Sequence, residues 1–150
     1  MESPNIIIQI IKIIPPVGVI ALICPSEAPL LGLVAPLAAA ISMGNSVIAV
    51  PSSSAPLSAA LIYRVLDASD VPAGVVNIVT GDPAELAATL ADHAGVDGCW
   101  NFQQDLIADV ERRSASNLKQ VWSVTSLPFG AKEWLRHATQ VKNVWVPMGD

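Results

Sequence analysis

The chain has 150 residues, of which 52% are hydrophobic and 14% are charged, and its net charge is −5. This length suits one domain with a sizeable core. The acidic balance excludes an extended nucleic-acid-binding patch, since the largest basic cluster is the pair Arg112 and Arg113.

The cysteines and the apolar segments limit the compartment and the class of site. Cys24 and Cys99 stand at the edges of apolar runs, which predicts buried free thiols in a reducing, cytoplasmic compartment. No histidine lies at metal-ligand spacing from either thiol, so no metal site is predicted. Residues 5–24 are mostly apolar but contain Gln9, Lys12 and two prolines, so we expect no membrane insertion.

Apolar runs alternate with helical patterns along the chain. Residues 6–14 predict an extended strand or half of a hairpin leading into the sheet. Uninterrupted apolar strands joined by helical crossovers are typical of a parallel α/β sheet. The further predicted strands are 17–23, 46–50, 75–79, 96–100, 118–122 and 141–146. The predicted helices are 29–43, 56–68, 83–93, 106–115 and 131–138.

Helix ends and turns carry well-matched chemistry. Gly44 and Asn45 follow the helix 29–43 as a left-handed C-cap requires. Asp82 is predicted as the N-cap of the helix 83–93, with Pro83 in its first turn. Helix 29–43 is apolar on every side, which predicts that it is buried all round. Ligands of such sheets bind just beyond the carboxyl ends of the strands, so the turns there should carry function.

Several separately spaced turns identify a family. The segments that carry the resemblance are Pro16-Val-Gly-Val-Ile, Pro25-x-x-x-Pro29, Ala40-x-x-x-Gly44-Asn45, Pro51-Ser52 and Pro72-Ala-Gly-Val-Val-Asn-Ile-Val-Thr-Gly81. Together they resemble the cofactor-binding half of the aldehyde dehydrogenases, in continuous register from Pro16 to Asp97. The resemblance implies a Rossmann-like parallel sheet with helices on both faces. Residues 1–122 would form a truncated cofactor-binding-type domain.

The tail resembles a second part of the same family. Residues 136–146 are similar to the C-terminal strand that, in aldehyde dehydrogenases, belongs to the oligomerisation segment and pairs with a neighbouring subunit. Residues 123–150 are therefore expected to form a connection, a short helix and this strand. The expected partner is a second copy or a catalytic aldehyde dehydrogenase chain. The expected interface residues are Gln140, Val141, Lys142, Asn143, Val144, Trp145 and Val146.

The segment between these two matches, residues 98–135, is far shorter than the catalytic domain that the family carries there. This arrangement is similar to the shortened second domain of family 16 members, which follows a complete catalytic domain and is regarded as non-catalytic. The sequence around Cys24 to Leu33 and around Met43 to Asn45 fits that subgroup better than ordinary members.

The residues that would perform the family's chemistry are replaced. Glu27 stands where the family has an asparagine that holds the oxyanion, and a carboxylate would repel that charge. Val124 aligns with the general-base glutamate and cannot transfer a proton. The nucleophilic cysteine belongs to the absent domain, and Cys24 and Cys99 lie on the wrong segments to replace it. No catalytic residue is therefore predicted.

The cofactor positions are retained only in part. Pro51, Ser52 and Gly81 match family positions near the adenosine of NAD, whereas Val50 replaces the lysine that binds the ribose. The family's Phe-x-Gly-Ser turn at the pyrophosphate reads Phe102–Gln103–Gln104 preceded by Asn101, and without glycine the backbone cannot easily approach phosphate. NAD is implied by the resemblance, but we expect no tight binding.

Three functional hypotheses follow. The leading one is a catalytically inactive structural and oligomerisation module of an NAD-dependent aldehyde oxidoreductase. The alternative is an NAD-binding aldehyde dehydrogenase that is active only with a partner chain, and a third is a deleted gene product that barely folds. Tryptophan is enriched at interfaces, so Trp134 and Trp145 are candidates for one, whereas Trp100 and Trp122 are expected in the core or at a sheet edge.

Overall fold

A computed structural model describes residues 7–128 and 130–148. The strands are β1 (Ile7–Ile13), β2 (Val19–Ile23), β3 (Ser46–Val50), β4 (Val76–Ile78), β5 (Gly98–Asn101), β6 (Gln120–Ser123) and β7 (Lys142–Met148). The helices are α1 (Pro29–Ser42), α2 (Pro56–Asp67), α3 (Pro83–Asp92), α4 (Ile107–Ser114) and α5 (Ala131–His137). Every predicted helix and strand is present, with ends that differ by a few residues.

Five strands form one parallel sheet in the order β4-β3-β2-β5-β6. The predicted α/β architecture is confirmed. From β2 the chain winds outward through β3 to β4, and it then returns to place β5 on the other side of β2. The strand order therefore reverses between β2 and β5, which makes their carboxyl ends the topological switch point of the sheet.

Side chains of β2 alternate between two apolar layers, one on each face of the sheet. Ile20 and Leu22 pack on the side of α1, α2 and α5, where Leu33, Ala59 and Trp134 join them. Ala21 and Ile23 pack on the opposite side, with Ala87 and Ala91 of α3 and Val110 of α4. Both faces of the sheet are thus covered by helices, as a parallel sheet requires.

An aromatic cluster fills the first of these layers below β5 and β6. Trp122 lies within 5.1–5.6 Å of Trp100, Phe102 and Trp134, measured between ring centroids, in edge-to-face geometry. His137 stacks on Trp122 at 3.9 Å with the two rings nearly parallel. Trp100 and Trp122 are core residues, as expected. Trp134, a candidate for an interface, is instead 6% exposed and donates Nε1–H to the Pro128 carbonyl at 3.1 Å.

Helix α1 contradicts one prediction, because it is not buried all round. One side, with Leu33, Leu37 and Ala40, lies in the core, but Leu30 and Leu31 are more than half exposed. Only one side of the helix faces the sheet, and the described chain supplies nothing to cover the other. The prediction is wrong because the apolar residues of a helix show which sides it could bury. They do not show whether another part of the chain covers each side.

Asn45 joins three parts of the fold through its buried carboxamide. Its Oδ1 accepts the backbone N–H of Gly18 at 2.9 Å. Its Nδ2 donates to the carbonyl of Ala40, in the last turn of α1, at 2.9 Å and to that of Ala138, just after α5, at 2.8 Å. Gly44 before it has a φ of 85°, as predicted for the helix C-cap. The side chain therefore ties the start of β2, the end of α1 and the tail together.

Strands β1 and β7 form a separate two-stranded antiparallel ribbon. The predicted extended strand before β2 is present, and its partner is β7 at the other end of the chain, opposing Ile10 to Trp145 and Ile11 to Val144. This pairing joins the two ends of the chain, which local sequence patterns do not reveal. The predicted N-cap of α3 is confirmed, since the Asp82 side chain accepts the Ala84 N–H at 2.9 Å.

The Asn45 contacts predict a large stability effect. An Asn45→Ala substitution should lower the free energy of unfolding by about 3 kcal/mol, because it leaves the buried Gly18 N–H unpaired and removes one of the donors to the Ala40 and Ala138 carbonyls. Urea denaturation followed by tryptophan fluorescence measures this change. Asn77→Ala is the matched control, since Asn77 is exposed and donates only to the Gly74 carbonyl. A control that loses as much stability as Asn45→Ala would contradict the role of Asn45.

The stacked His137 predicts a pH dependence. Burial, assisted by the charge of Arg136, lowers the pKa of His137, although Glu133 opposes this shift. Between the normal histidine pKa and the lowered one, the unfolded chain binds more protons than the folded chain. The stabilising contribution should therefore be complete above pH 7 and be lost as pH falls below about 6.5.

A His137→Phe variant should keep the stacking and flatten that slope. The free energy of unfolding, measured by urea titration at pH 7.5 and at pH 5.5, tests this expectation. An identical pH difference in the wild type and the variant would rule out His137 as its source.

Candidate functional site

The carboxyl ends of β2 and β5 meet at the switch point, where an open α/β sheet normally binds its ligand. Two loops line this place, which we call the crevice. One loop follows β2 and contains Pro25, Ser26 and Glu27, and the other follows β5 and contains Phe102 and Gln103. Their chemistry decides what the crevice can hold.

The loop after β2 is rigidly held. Cys24 donates its N–H to the Val50 carbonyl of β3 at 3.0 Å. Ala28 then adopts the left-handed conformation, with φ 48° and ψ 57°, and starts α1. Gly32 fits beneath this turn, since a Cβ there would lie 2.4 Å from Pro25 Cγ. The close approach of helix and loop requires glycine and fixes the position of Glu27 at the mouth of the crevice.

The loop after β5 is organised by Asn101, whose side chain is buried. Its Oδ1 accepts the N–H of Gln103 at 3.0 Å, and its Nδ2 donates to the carbonyl of the same residue at 3.0 Å. The Gln103 side chain crosses the crevice and donates Nε2–H to the Cys24 carbonyl at 2.9 Å. Sequence reasoning noted only the bulk of Gln103 and missed this bond.

Two small cavities lie beside the Gln103 side chain where it spans the crevice. One, of about 260 Å³, lies between Glu27, Leu31 and the segment 125–128. The other, of about 220 Å³, contains Glu27, Gln103 and Asp105. Both fall below the volumes of about 300–1,000 Å³ that are usual for ligand pockets. Among the described residues that line them, both charged groups are carboxylates and no lysine, arginine or histidine is present.

The residues predicted near an adenosine lie on the same edge of the sheet, beyond β3 and β4. Pro51 and Ser52 are buried, and the Ser52 hydroxyl is engaged with that of Ser54 at 2.7 Å. Gly81 is exposed after β4, and a Cβ there would approach Leu86 to 3.1 Å. Local packing accounts for both the serine and the glycine.

Val124 and the two thiols take up apolar positions. Val124 follows β6 and packs, half buried, against the core layer that holds the aromatic cluster. Burial raises the pKa of Cys24 to about 12. Burial likewise raises the pKa of Cys99 to about 12, although the charge of Lys119 acts in the opposite direction. Both thiols are therefore protonated at neutral pH, and a protonated thiol is a poor nucleophile.

Comparison with known proteins supports what the turns and the sheet indicate. The model of the aldehyde dehydrogenase family matches residues 7–122. The chain belongs to this family. Over 112 residues it is 38% identical to NADP/NAD-dependent aldehyde dehydrogenase PuuC of Escherichia coli, covering 71% of this chain and 22% of that protein. Over 119 residues it is 36% identical to the 2-hydroxymuconic semialdehyde dehydrogenase of Pseudomonas putida, covering 78% and 24%.

Solved aldehyde dehydrogenase structures share the fold. An enzyme from Bartonella henselae superposes with a TM-score of 0.70 at 27% identity, covering 82% of this chain and 25% of that one. A mutant aldehyde dehydrogenase C from Pseudomonas syringae, solved with NAD+ and octanal, gives 0.71 at 29% identity, covering 81% and 26%. The chain thus spans about a quarter of the length of its relatives.

The family implies a dinucleotide in the crevice. A pyrophosphate carries two negative charges and needs hydrogen-bond donors or cations around it. Here one N–H of the Gln103 amide is already bonded to Cys24, the charged residues that line the cavity are Glu27 and Asp105, and no cationic side chain lines it among the described residues. The residues present do not fit a dinucleotide at the switch point.

Two further findings concern other classes of site. Within residues 7–128 and 130–148, no group of three or more histidine, cysteine or acidic side chains is placed to hold a metal ion. In the same ranges no helix has the length and apolar character needed to span a bilayer.

The buried thiols predict protection from reagents. In the folded chain at pH 8, neither cysteine should react with an aromatic disulfide reagent over the time in which a free thiol is consumed. Unfolding in urea should release both thiols at once. Rapid reaction of one thiol in the folded chain would contradict the burial of Cys24 and Cys99 and would identify a nucleophile.

Proposed function

We propose that this chain is a catalytically inactive structural and oligomerisation module of an aldehyde dehydrogenase. The observation that carries the proposal is the crevice at the switch point, where the carboxylates of Glu27 and Asp105 line the cavity and Gln103 bridges the two loops. The crevice keeps the backbone fold of the family, but its side chains no longer suit the family's ligand.

The requirements of aldehyde oxidation support the same conclusion. The reaction needs a thiolate nucleophile, donors for an oxyanion and a general base. Cys24 and Cys99 are buried with raised pKa values, and Val124 has no atom that could accept a proton as a general base. Glu27 presents a carboxylate where the resemblance places an oxyanion donor. Cys24, Cys99, Val124 and Glu27 therefore supply neither the nucleophile, nor the general base, nor the oxyanion donor.

A finer assignment follows from the same resemblance. We propose that the chain is of the kind found as the shortened, non-catalytic second domain of family 16 members. The short connection between β6 and α5 and the docking of Trp134 in the core support this assignment. The buried, unpaired thiols are in keeping with a reducing, cytoplasmic compartment.

The β1–β7 ribbon is the proposed interface, with Gln140, Val141 and the strand β7 as its contact surface. Two-stranded ribbons are marginal in water unless another surface packs on them. Ile10 and Ile11 point to opposite faces and are 57% and 41% exposed, and Trp145 is 63% exposed. Within the described residues one edge of β7 is unpaired, so we expect a second copy of the chain, or a catalytic aldehyde dehydrogenase chain, to pair with it by sheet addition. The apolar side chains exposed on both faces give that partner further surface to pack on.

One observation favours the alternative of an NAD-binding chain that works with a catalytic partner. The turns at Pro51, Ser52 and Gly81 are retained on the carboxyl edge of the sheet, and a structure with NAD+ is among the similar folds. Saturable binding of NAD by the wild-type chain would favour this alternative.

The ribbon predicts self-association that depends on its apolar face. Trp145→Asp should shift the chain from dimer to monomer and weaken association at least tenfold, because it places a charge on the buried side of the interface. Sedimentation velocity at several concentrations measures this change, and circular dichroism checks that the fold is kept.

Leu57→Asp is the matched control. Leu57 is 79% exposed on α2, away from the ribbon, so this variant should associate like the wild type. A Trp145→Asp chain that remains dimeric would exclude the ribbon as the interface. A wild-type chain that stays monomeric at every concentration would exclude self-association.

A further inference from the structure

We propose that the Gln103 side chain is a strap that holds the crevice between β2 and β5 closed. This inference deepens the proposed function and rests on it, because a closed crevice suits only a chain that does not turn over a dinucleotide. The strap is the hydrogen bond from Gln103 Nε2 to the Cys24 carbonyl.

The strap continues the pairing of β2 and β5 by one step. The last backbone bond between the two segments runs from Phe102 N–H to the Ile23 carbonyl at 3.1 Å. The next carbonyl along, that of Cys24, accepts from the Gln103 side chain at 2.9 Å. A ligand crevice opens where neighbouring strands stop pairing and diverge. The side chain therefore joins the two loops at the point where they would separate.

The strap is held in place by its own backbone. The buried side chain of Asn101 binds both the N–H and the carbonyl of Gln103, each at 3.0 Å. This clamp fixes the direction in which the Gln103 side chain leaves the chain. Less conformational entropy is then lost when its amide bonds to Cys24, so the closed arrangement is favoured.

The strap also changes what the crevice offers to a ligand. One of the two N–H groups of the Gln103 amide, which lines the 220 Å³ cavity, is used inside the chain. Glu27 and Asp105 leave carboxylate acceptors on the same cavity. Closure and charge therefore act in the same direction, and each disfavours an anionic ligand.

Hydrogen–deuterium exchange tests the strap. In Gln103→Ala, amides in residues 22–29 and 100–106 should exchange about five- to tenfold faster than in the wild type, the effect of losing one hydrogen bond. Gln104→Ala is the matched control, because Gln104 lines the same cavity and is exposed. Exchange should change in the first variant and not in the second.

Two results would overturn the proposal. One is a Gln103→Ala chain whose two segments exchange as slowly as in the wild type. The other is equal acceleration by Gln104→Ala, which would mean that any change in the loop loosens it. Calorimetric titration of the wild-type chain with millimolar NAD separates the two proposals. Saturable heat there would defeat the proposed function, whereas the exchange comparison would still decide on the strap.

Discussion

The carboxamide of Asn45 holds together parts of the chain that are far apart in sequence. Backbone groups from the start of β2, the last turn of α1 and the segment after α5 all bond to it. A buried amide with each of these bonds made is stabilising, whereas each group left unpaired would cost about 1–3 kcal/mol. The side chain that bonds to the last turn of α1 therefore also positions the tail. From that position the Gln140 N–H bonds to the Pro15 carbonyl, and β7 pairs with β1 to form the ribbon.

The tail also completes the core. Trp134 enters the aromatic cluster beside Trp100 and Trp122, and the stacked His137 closes its edge. Large aromatic side chains contribute more apolar area than any other residues, and edge-to-face contacts add to that contribution. A chain that spans a quarter of its relatives' length still covers this side of its sheet, because α5 packs where the short connection delivers it. The exposed side of α1 marks where such cover is lacking within the described chain.

Local sequence was sufficient for most elements of the fold. Apolar runs of strand length and turns such as Gly44–Asn45 and Asp82–Pro83 are decided by neighbouring residues, so strands, helices and caps could be predicted. The pairing of β1 with β7 joins segments from opposite ends of the chain, and the exposure of α1 depends on what else is present. At the site, sequence indicated that Glu27, Val124 and Gln103 were replacements. It could not reveal that Gln103 reaches Cys24, because that contact depends on how two loops meet at the switch point.

At this edge of the sheet, the residues that set the backbone path differ from those that would bind a ligand or perform catalysis. The fold can therefore be kept while the family's active-site side chains are lost. Gly32 and the left-handed Ala28 fix the path of the loop after β2, and the clamp of Asn101 fixes that after β5. These features serve folding, so altering them would disturb the core beneath. Glu27 and Gln103 lie on the surface of that framework, where a different side chain changes the chemistry and leaves the sheet intact. The Gln103 side chain also adds a hydrogen bond between the loops that follow β2 and β5. The place where a ligand crevice would open then contributes to the stability of the fold.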